Sequence, residues 1–290
     1  VDDVVLGATE ELGASAGATE DILARNALIA GTNVIYAPKS DGTAVTARAG
    51  LTADCRLTSD LVNKAVTAMK KLNAPKIDGK YVAIIHPSVA YDLRKDDDWI
   101  DAHKYAAVTE IFNGEIGELH GCRFVESTNA KIFRGDNLAA DSPTLAANGA
   151  VTASNSVTFD GGTVAEGALA GRYVLIGGTK AKVVSNTATV LTLDAAVTCA
   201  DNAVICPGEG GEGGIAVYAT LFFGRDAYGI VDPDGAGLEM ILHDRSQAGG
   251  PLDQFSTVGY KLSTAAKILY EDRMIRVESG SSYSDEDDVN

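Results

Sequence analysis

The sequence is poor in the residues on which enzymes most often build catalytic and metal sites. Among its 290 residues there are four histidines and four cysteines. No two cysteines stand in the C-x-x-C spacing of a zinc or redox site, and the H-E-x-x-H and Walker phosphate-loop motifs are absent. We therefore expect no catalytic site, no cofactor and no bound metal.

Basic residues are also scarce. Lysine and arginine number 24 against 40 acidic residues, which gives a net charge of −16 and an isoelectric point near 4.6. A surface of this sign repels phosphate backbones, so binding of nucleic acid by a basic face is disfavoured. The acidic run at 285–288 adds to the excess, and we expect residues 280–290 to form a solvated, flexible tail.

Long apolar runs are missing as well, and none approaches the roughly 20 residues of a membrane span. No secretory signal is recognisable, which predicts reduced thiols in an intracellular compartment while the protein is made. Cys122 lies in an apolar run and is expected to be buried, while a disulfide between Cys199 and Cys206 stays open. The chain begins at Val1 without a methionine, so we expect a processed or partial product.

Helical periodicity dominates the first part of the chain. The runs DDVVLGATEELG and ATEDILARNALIAG predict two packing helices, and TSDLVNKAVTAMKKL predicts an amphipathic helix capped at Thr58. A buried strand, KYVAIIHP, leads through Pro87 into a short helix at 88–95. A further helix at 100–110 precedes a strand at 122–126. This order of elements favours an α+β or α/β layer.

The composition changes near residue 134, where valine, threonine, glycine and asparagine replace most helix formers. Strand-like runs then recur every 8 to 12 residues or so, the spacing of a small β-sandwich or barrel. We interpret 145–207 as a β-module within an insert at 134–214, with GEGGEGG (208–214) as its flexible exit. Strong strand patterns follow, so strands on both sides of the insert can share one sheet. The runs that predict the module are SVTFD, RYVLIG, AKVVSN, ATVLTLD and AVIC.

Each candidate for chemistry has a stronger structural interpretation. His86 stands directly before Pro87, where helical geometry is disfavoured, so we interpret it as the junction between a strand and a helix. The glycines of LIGGTKAK (175–182) lack a following helix and predict a hairpin turn. Acidic side chains at the start of a helix interact favourably with the positive end of the helix dipole. The run DPDGAG (232–237) is typical of a turn. The other candidates, scattered or at such a helix start, are His103, His120, His243, Asp96, Asp97, Asp98 and Asp101.

Several long phrases of the sequence resemble one protein family. DGKYVAIIHPSVAYDLRKDDDWIDAHKY, IFNGEIGELHGCRFVES, LFFGRDAYGIV and PLDQFSTVGYKLSTAAKILYEDRMIRVES resemble, in order, tailed-bacteriophage major capsid proteins of the phage N-four type. The resemblance covers 1–133 and 215–279, and ARNALIAGTNVIYA resembles the family's segment after its long spine helix. It implies an α+β Hong Kong 97-type capsid fold with axial and peripheral domains, which the two ranges would form.

The resemblance also implies a non-enzymatic protein of the virion that assembles in the host bacterial cytoplasm. Copies would form hexamers and pentamers of an icosahedral head, enclosing double-stranded DNA without binding it specifically and without a membrane. Contacts with decoration, portal and scaffolding proteins are further expectations.

The sequence departs from the family pattern in two ways. Family members carry an N-terminal arm, an extended hairpin loop and the spine helix ahead of the point where this chain starts. We expect these elements to be missing, cleaved or outside this sequence. Residues 134–214 exceed the family pattern and resemble surface-decorating insertions, so we expect this inserted all-β domain on the outer surface.

Two other classes of function stay open. A carbohydrate-binding or adhesion protein could use the β-module, although Phe159 and Tyr173 are its only aromatic residues. A hydrolase could instead use His86 with neighbouring acids.

Overall fold

The computed structural model describes residues 2–104, 115–135, 137–142, 144–177, 179–231, 238–243 and 256–290. The helices are α1 (Asp2–Ile29), α2 (Ser59–Lys71), α3 (Pro87–Arg94) and α4 (Asp97–Lys104). The strands up to the end of the insert are β1 (Val34–Tyr36), β2 (Tyr81–Ile85), β3 (Glu115–Leu119), β4 (Cys122–Glu126), β5 (Ile132–Phe133), β6 (Leu145–Ala147), β7 (Val151–Asp160), β8 (Tyr173–Ile176), β9 (Thr179–Asn186), β10 (Val190–Cys199) and β11 (Val204–Pro207). The later strands are β12 (Val217–Phe223), β13 (Tyr228–Val231), β14 (Glu239–His243), β15 (Thr257–Lys261), β16 (Ala265–Ile268) and β17 (Met274–Ser279).

The described residues fall into two compact units. The smaller unit lies within 1–32 and 226–271, and the larger unit lies within 33–225 and 272–290. The insert therefore belongs to the larger unit.

A mixed sheet in the order β1-β17-β12-β2-β4-β3 forms the centre of the larger unit, and β5 also pairs with β12. β1 runs parallel to β17 and β2 runs parallel to β4, while the other neighbours are antiparallel. Every residue of β12, VYATLFF, is buried, which is typical of a strand covered on both faces. Because β2 precedes the insert and β12 follows it, the prediction that both sides share one sheet is confirmed.

The helices of the larger unit begin where local sequence signals place them. The Thr58 hydroxyl accepts a hydrogen bond from the Leu61 amide at 3.4 Å and so caps α2. Pro87 opens α3 directly after β2, as predicted. Trp99 of α4 packs edge-on against Phe124 of β4 with 5.7 Å between ring centroids. The apolar face of α2 is buried, as its spacing predicts, through Leu61, Val62, Ala65, Val66 and Met69.

The predicted β-module is a closed barrel of six strands in the order β10-β7-β6-β11-β8-β9. Closure leaves no free strand edge in the module. Its end lies beside the start of the insert, because a Cβ built on Gly135 would lie 2.1 Å from the Pro207 Cβ. Only β6 was not predicted, since three residues are too few to show a period of two. The barrel encloses an apolar core that includes Val157, Phe159, Ile176, Val183, Leu191 and Leu193.

The smaller unit consists of α1 and two two-stranded sheets, β13 with β16 and β14 with β15. The prediction of two separate helices is wrong, because α1 runs unbroken through Gly13 and Gly17. A glycine costs a helix about 1 kcal/mol relative to alanine, which weakens the helix without ending it. Among the described residues, no helix has both the length and the apolar character needed to cross a membrane.

The run GEGGEGG is packed rather than flexible. A Cβ on Gly211 would lie 2.4 Å from the Leu51 carbonyl oxygen, and one on Gly210 would lie 2.6 Å from that of Ile215. The Glu212 amide donates to Leu51 O at 2.8 Å. The expectation of a flexible exit is therefore wrong, because these glycines allow two backbone segments to approach closely.

A buried ion cluster fastens the irregular segment 38–56 to the central sheet. The Glu278 carboxylate on β17 is fully buried and accepts hydrogen bonds from Arg48 Nε and Nη2, both at 2.7 Å. Arg276 Nε donates to the same carboxylate at 2.8 Å. The Arg48 guanidinium carbon also lies 3.4 Å from the centroid of the Phe133 ring. Arg48 therefore joins the segment to both β17 and β5.

Replacing Arg48 should destabilise the fold strongly. In Arg48→Met the Glu278 carboxylate keeps one cationic partner while remaining buried, so we expect unfolding to need about 3 kcal/mol less free energy. The measurement is denaturant unfolding followed by circular dichroism. The matched control is Lys39→Met, which removes a solvent-exposed 3.2 Å ion pair with Glu212 and should cost less than about 1 kcal/mol. Equal losses in the two variants would contradict this account.

Candidate functional site

His86 caps α3. Its Nδ1 accepts a hydrogen bond from the Ser88 amide at 3.2 Å, and its backbone is extended, with φ −78° and ψ 146°. The imidazole stacks on Tyr218 with 5.0 Å between ring centroids. The interpretation of His86 as the junction between strand and helix is confirmed.

The surroundings of His86 do not form a nucleophile paired with a base. The Ser88 hydroxyl donates to Asp287 Oδ2 at 2.8 Å rather than to the imidazole. Burial lowers the pKa of His86 more than Asp287 and Glu126 raise it, so the ring is neutral near pH 7. This geometry serves to hold the chain rather than to transfer a proton.

Asp287 is the centre of a compact hydrogen-bond cluster. Its carboxylate accepts from Tyr218 Oη at 2.6 Å, Ser88 Oγ at 2.8 Å and Ser284 Oγ at 2.7 Å. Burial raises the pKa of Asp287, but these hydrogen bonds outweigh it and the net shift is downward. Burial also raises the pKa of Tyr218, and the bond to Asp287 adds to that shift. The predicted flexible tail thus contains a residue bonded to both α3 and β12.

The other histidines lie apart from His86. His120 occupies the turn between β3 and β4 with φ 53°, and its Nε2 lies 3.0 Å from Ser59 Oγ. His243 ends β14 in the smaller unit. The side chain of His103 and the turn predicted at 232–237 lie outside the described residues.

The acidic run before α4 caps two helices. Asp96 accepts hydrogen bonds from the amides of Ser59 at 2.9 Å and Asp98 at 3.1 Å. Asp97 and Asp98 occupy the first turn of α4, which confirms the helix-start interpretation. Within the described ranges, no group of three histidine, cysteine, aspartate or glutamate residues is arranged to hold a metal ion.

Glycine motifs in the chain occur without the structural context that gives them function. The run at 175–182 is the β8–β9 hairpin, as predicted. Sequence inspection missed two further matches: GASAG (13–17) has the G-x-S-x-G spacing, and GEGGEG (208–213) has the G-x-G-x-x-G spacing. The first lies inside α1 rather than at a strand-to-helix turn, and the second ends in a single 3-10 turn (Glu212–Gly214) ahead of β12 rather than opening an α-helix.

The four cysteines are free and buried. Burial strongly raises the pKa of Cys122, as expected for a small core side chain. Cys199 and Cys206 do not form a disulfide in this structure.

The two aromatic residues of the barrel occupy different environments. Phe159 is 2% exposed and belongs to the barrel core, so it cannot stack on a sugar. Tyr173 is 43% exposed and lines a cleft of about 340 Å³ with Arg134 and Arg172, but Lys180 Nζ lies 4.7 Å from its ring centroid. A carbohydrate site on the barrel would therefore depend on one aromatic ring that already has a cation over it.

The smaller unit exposes a set of apolar side chains that we call the apolar strand surface. Two-stranded sheets are too small to bury both of their faces, so apolar side chains on them remain exposed. All five members lie on β13 and β14, which belong to separate sheets. Its members are Ile230, Val231, Met240, Ile241 and Leu242, each at least 36% exposed.

Comparison with known proteins gives one family match. Residues 8–231 match the model of a family described as phage capsid protein. No curated protein matches the sequence.

Three solved capsid structures are similar to this chain. They are the capsid of cyanophage P-SCSP1u (16% identity, 95% of this chain and 66% of that chain covered, TM-score 0.48), the capsid asymmetric unit of cyanophage Pam1 (11%, 91%, 64% and 0.48) and the capsid of Ralstonia phage GP4 (14%, 89%, 54% and 0.44). This chain thus spans between about half and two thirds of the length of each.

The stability of the larger unit should fall as the pH drops below about 6.5, the pKa of an unperturbed histidine. Because the pKa of folded His86 is depressed, its contribution is present above the unfolded value and is lost as pH falls through the folded value. His86→Asn keeps an N-cap but cannot titrate, so its unfolding free energy should change less between pH 7 and pH 5.

Urea unfolding at a series of pH values measures this effect. His243→Asn, at the end of β14, is the control and should retain the pH dependence of the unaltered protein. If the unfolding free energy of His86→Asn depended on pH as steeply as that of the control, His86 would not be the source of the pH dependence.

Proposed function

This chain belongs to the phage capsid protein family, and from that premise we propose that it is the major capsid protein of a tailed bacteriophage. Copies assemble as hexamers and pentamers into an icosahedral head around double-stranded DNA. Members of this family are structural, non-enzymatic components of the virion that assemble with copies of themselves.

The observation that carries the proposal is the apolar strand surface of the smaller unit. Val231 is 61% exposed and Leu242 is 51% exposed, although both lie on regular strands. In a shell such residues are covered by neighbouring subunits, which removes apolar area from water at about 25 cal/mol per Å². Small contacts of this kind become strong when they are repeated around a closed assembly.

Net charge supports the same function. With a net charge of −16, the protein encloses DNA without adhering to the phosphate backbone. Scaffolding, portal and decoration proteins are the further partners we propose for such a shell.

The finer fold assignment is likewise a proposal. We assign the chain to the Hong Kong 97-type fold of the phage N-four type, with residues 1–133 and 215–279 forming the capsid core of axial and peripheral domains. Residues 134–214 form the module that we place on the outer surface. The placement is supported by the closed barrel and by its adjacent ends, which let it project from the core without interrupting the central sheet.

Charges placed on the apolar strand surface should block assembly. The double variant Met240→Asp and Leu242→Asp, at two positions that share one face of β14, would bury two carboxylates in a subunit contact, so we expect soluble, folded protein that does not form particles. Electron microscopy and sedimentation velocity measure assembly, and circular dichroism checks the fold. The control is Val184→Asp at a 59% exposed position on β9, which should still assemble. Normal particles from the double variant would contradict the assigned contact.

The barrel should be dispensable for shell closure. The two ends of 145–207 lie close together, because a Cβ on Gly214 would be 3.8 Å from Thr144 Cγ2 and 3.2 Å from Pro207 Cδ. Replacing 145–207 by a short glycine-serine linker should therefore preserve closed particles, which electron microscopy would detect. Recovery of insoluble monomers alone would reject the outer placement of the module.

A further inference from the structure

The last ten residues form an extended segment on the larger unit, which we call the C-terminal strap (Ser281–Asn290). The strap contains no helix or strand. It starts from a fixed point, because the Gly280 amide donates to Cys55 O at 2.8 Å and a Cβ on Gly280 would lie 2.4 Å from Thr52 O. The strap therefore leaves the central sheet at a defined position.

The first part of the strap binds α3. Ser281 Oγ donates to Ser88 O at 2.8 Å, and the Ser282 amide donates to Asp92 Oδ2 at 2.8 Å. The Ser282 hydroxyl donates to the other oxygen of the same carboxylate. The Tyr283 ring meets the Tyr91 ring edge-on, with 5.1 Å between centroids.

The middle of the strap binds β12 and the start of α3, with one aspartate bound through its side chain and another through its backbone. The side chain of Asp287 accepts the three hydrogen bonds from Tyr218, Ser88 and Ser284 described above. Asp285 is bound through its backbone, because its carbonyl oxygen accepts from the Ala216 amide at 2.7 Å. The two aspartates carry the same charge but differ in how they are recognised.

The end of the strap binds β5 and the residues beside it. Asn290 Oδ1 accepts from the Ile132 amide at 3.0 Å, and Asn290 Nδ2 donates to Ala130 O at 3.0 Å. Arg134 donates to Glu286 O and lies 3.6 Å from the Asp288 carboxylate. Contacts thus continue along the whole strap.

Hydrogen bonds rather than apolar burial hold the strap. Ser281 is its one fully buried residue, whereas Tyr283 is 66% exposed and Val289 is 45% exposed. The surface beneath it belongs to α3, β12, β5 and their flanking residues, and β12 and β5 are strands of the central sheet. Because each of these hydrogen bonds replaces one with water, its net contribution is small and the attachment is specific but reversible.

We propose that this surface is a docking groove for an extended, acidic, serine-rich peptide, and that the strap of a second copy of this chain can occupy it. Every copy carries the same strap and the same groove, so exchange between neighbours preserves each contact and adds a link between subunits. The inference rests on the proposed function, because exchange in the shell requires neighbouring copies.

Binding of the strap as a free peptide tests the groove. A fluorescent peptide of sequence SSYSDEDDVN is added to the full chain carrying Asp287→Asn, whose own strap is held more weakly, and should displace that strap and bind saturably in an anisotropy titration. A peptide with Asp287→Asn should bind at least fivefold more weakly, since three donors lose their charged acceptor. A peptide with Asp285→Asn has the same net charge as the Asp287→Asn peptide, but it should bind as tightly as the unaltered peptide. Absence of saturable binding, or equal weakening by both changes, would overturn the groove.

Cross-linking tests exchange between copies. Copies with Tyr91→Cys are assembled with copies carrying Tyr283→Cys, oxidised mildly and run on a denaturing gel, where exchange predicts disulfide-linked dimers. The native cysteines are buried and do not compete. The control replaces the second variant by Val289→Cys, which lies beside Arg134 and should give no dimers.

The outcomes separate the two proposals. Particles without linked dimers would reject exchange and leave the capsid function in place. Saturable peptide binding by a protein that never forms particles would support the groove and reject the proposed function.

Discussion

The fold of the larger unit depends on one buried carboxylate. Glu278 lies on β17 between β1 and β12, with its side chain removed from water and held by Arg48 and Arg276. Such a charge is tolerated in a core only when cationic partners compensate the lost hydration. Arg48 thereby holds segment 38–56 against the sheet. In the same segment, the Leu51 carbonyl accepts a hydrogen bond from the amide of Glu212, which follows the barrel in the chain. Sheet, segment and insert are organised around this charge.

In the larger unit, polar side chains of the kinds that enzymes use in catalysis stabilise the fold instead. His86 caps a helix, Asp96 caps two helices, and Asp287 ties an extended segment to the core. The smaller unit leaves apolar strand residues in contact with water. Surfaces suited to contact are what a capsid subunit needs, which agrees with the family to which the chain belongs.

Features that depend on local sequence were predictable, and features that depend on distant partners were not. α2, β2, β4 and the five longer barrel strands followed from hydrophobic periodicity and turn residues. Arg48 and Glu278 are separated by 230 positions, and Ser88 and Asp287 by 199, so neither contact has a local signal. The packing of GEGGEGG was missed for a related reason: glycine permits both flexibility and close approach, and only the tertiary neighbours of Gly211 decide between them.

The central claim is that this protein acts through surfaces that it offers to copies of itself. Electron microscopy of the complete gene product, purified without other phage proteins and concentrated, tests that claim most directly. The account predicts capsomers or closed particles of uniform diameter. A protein that stays monomeric at every concentration and instead converts a small molecule would contradict it.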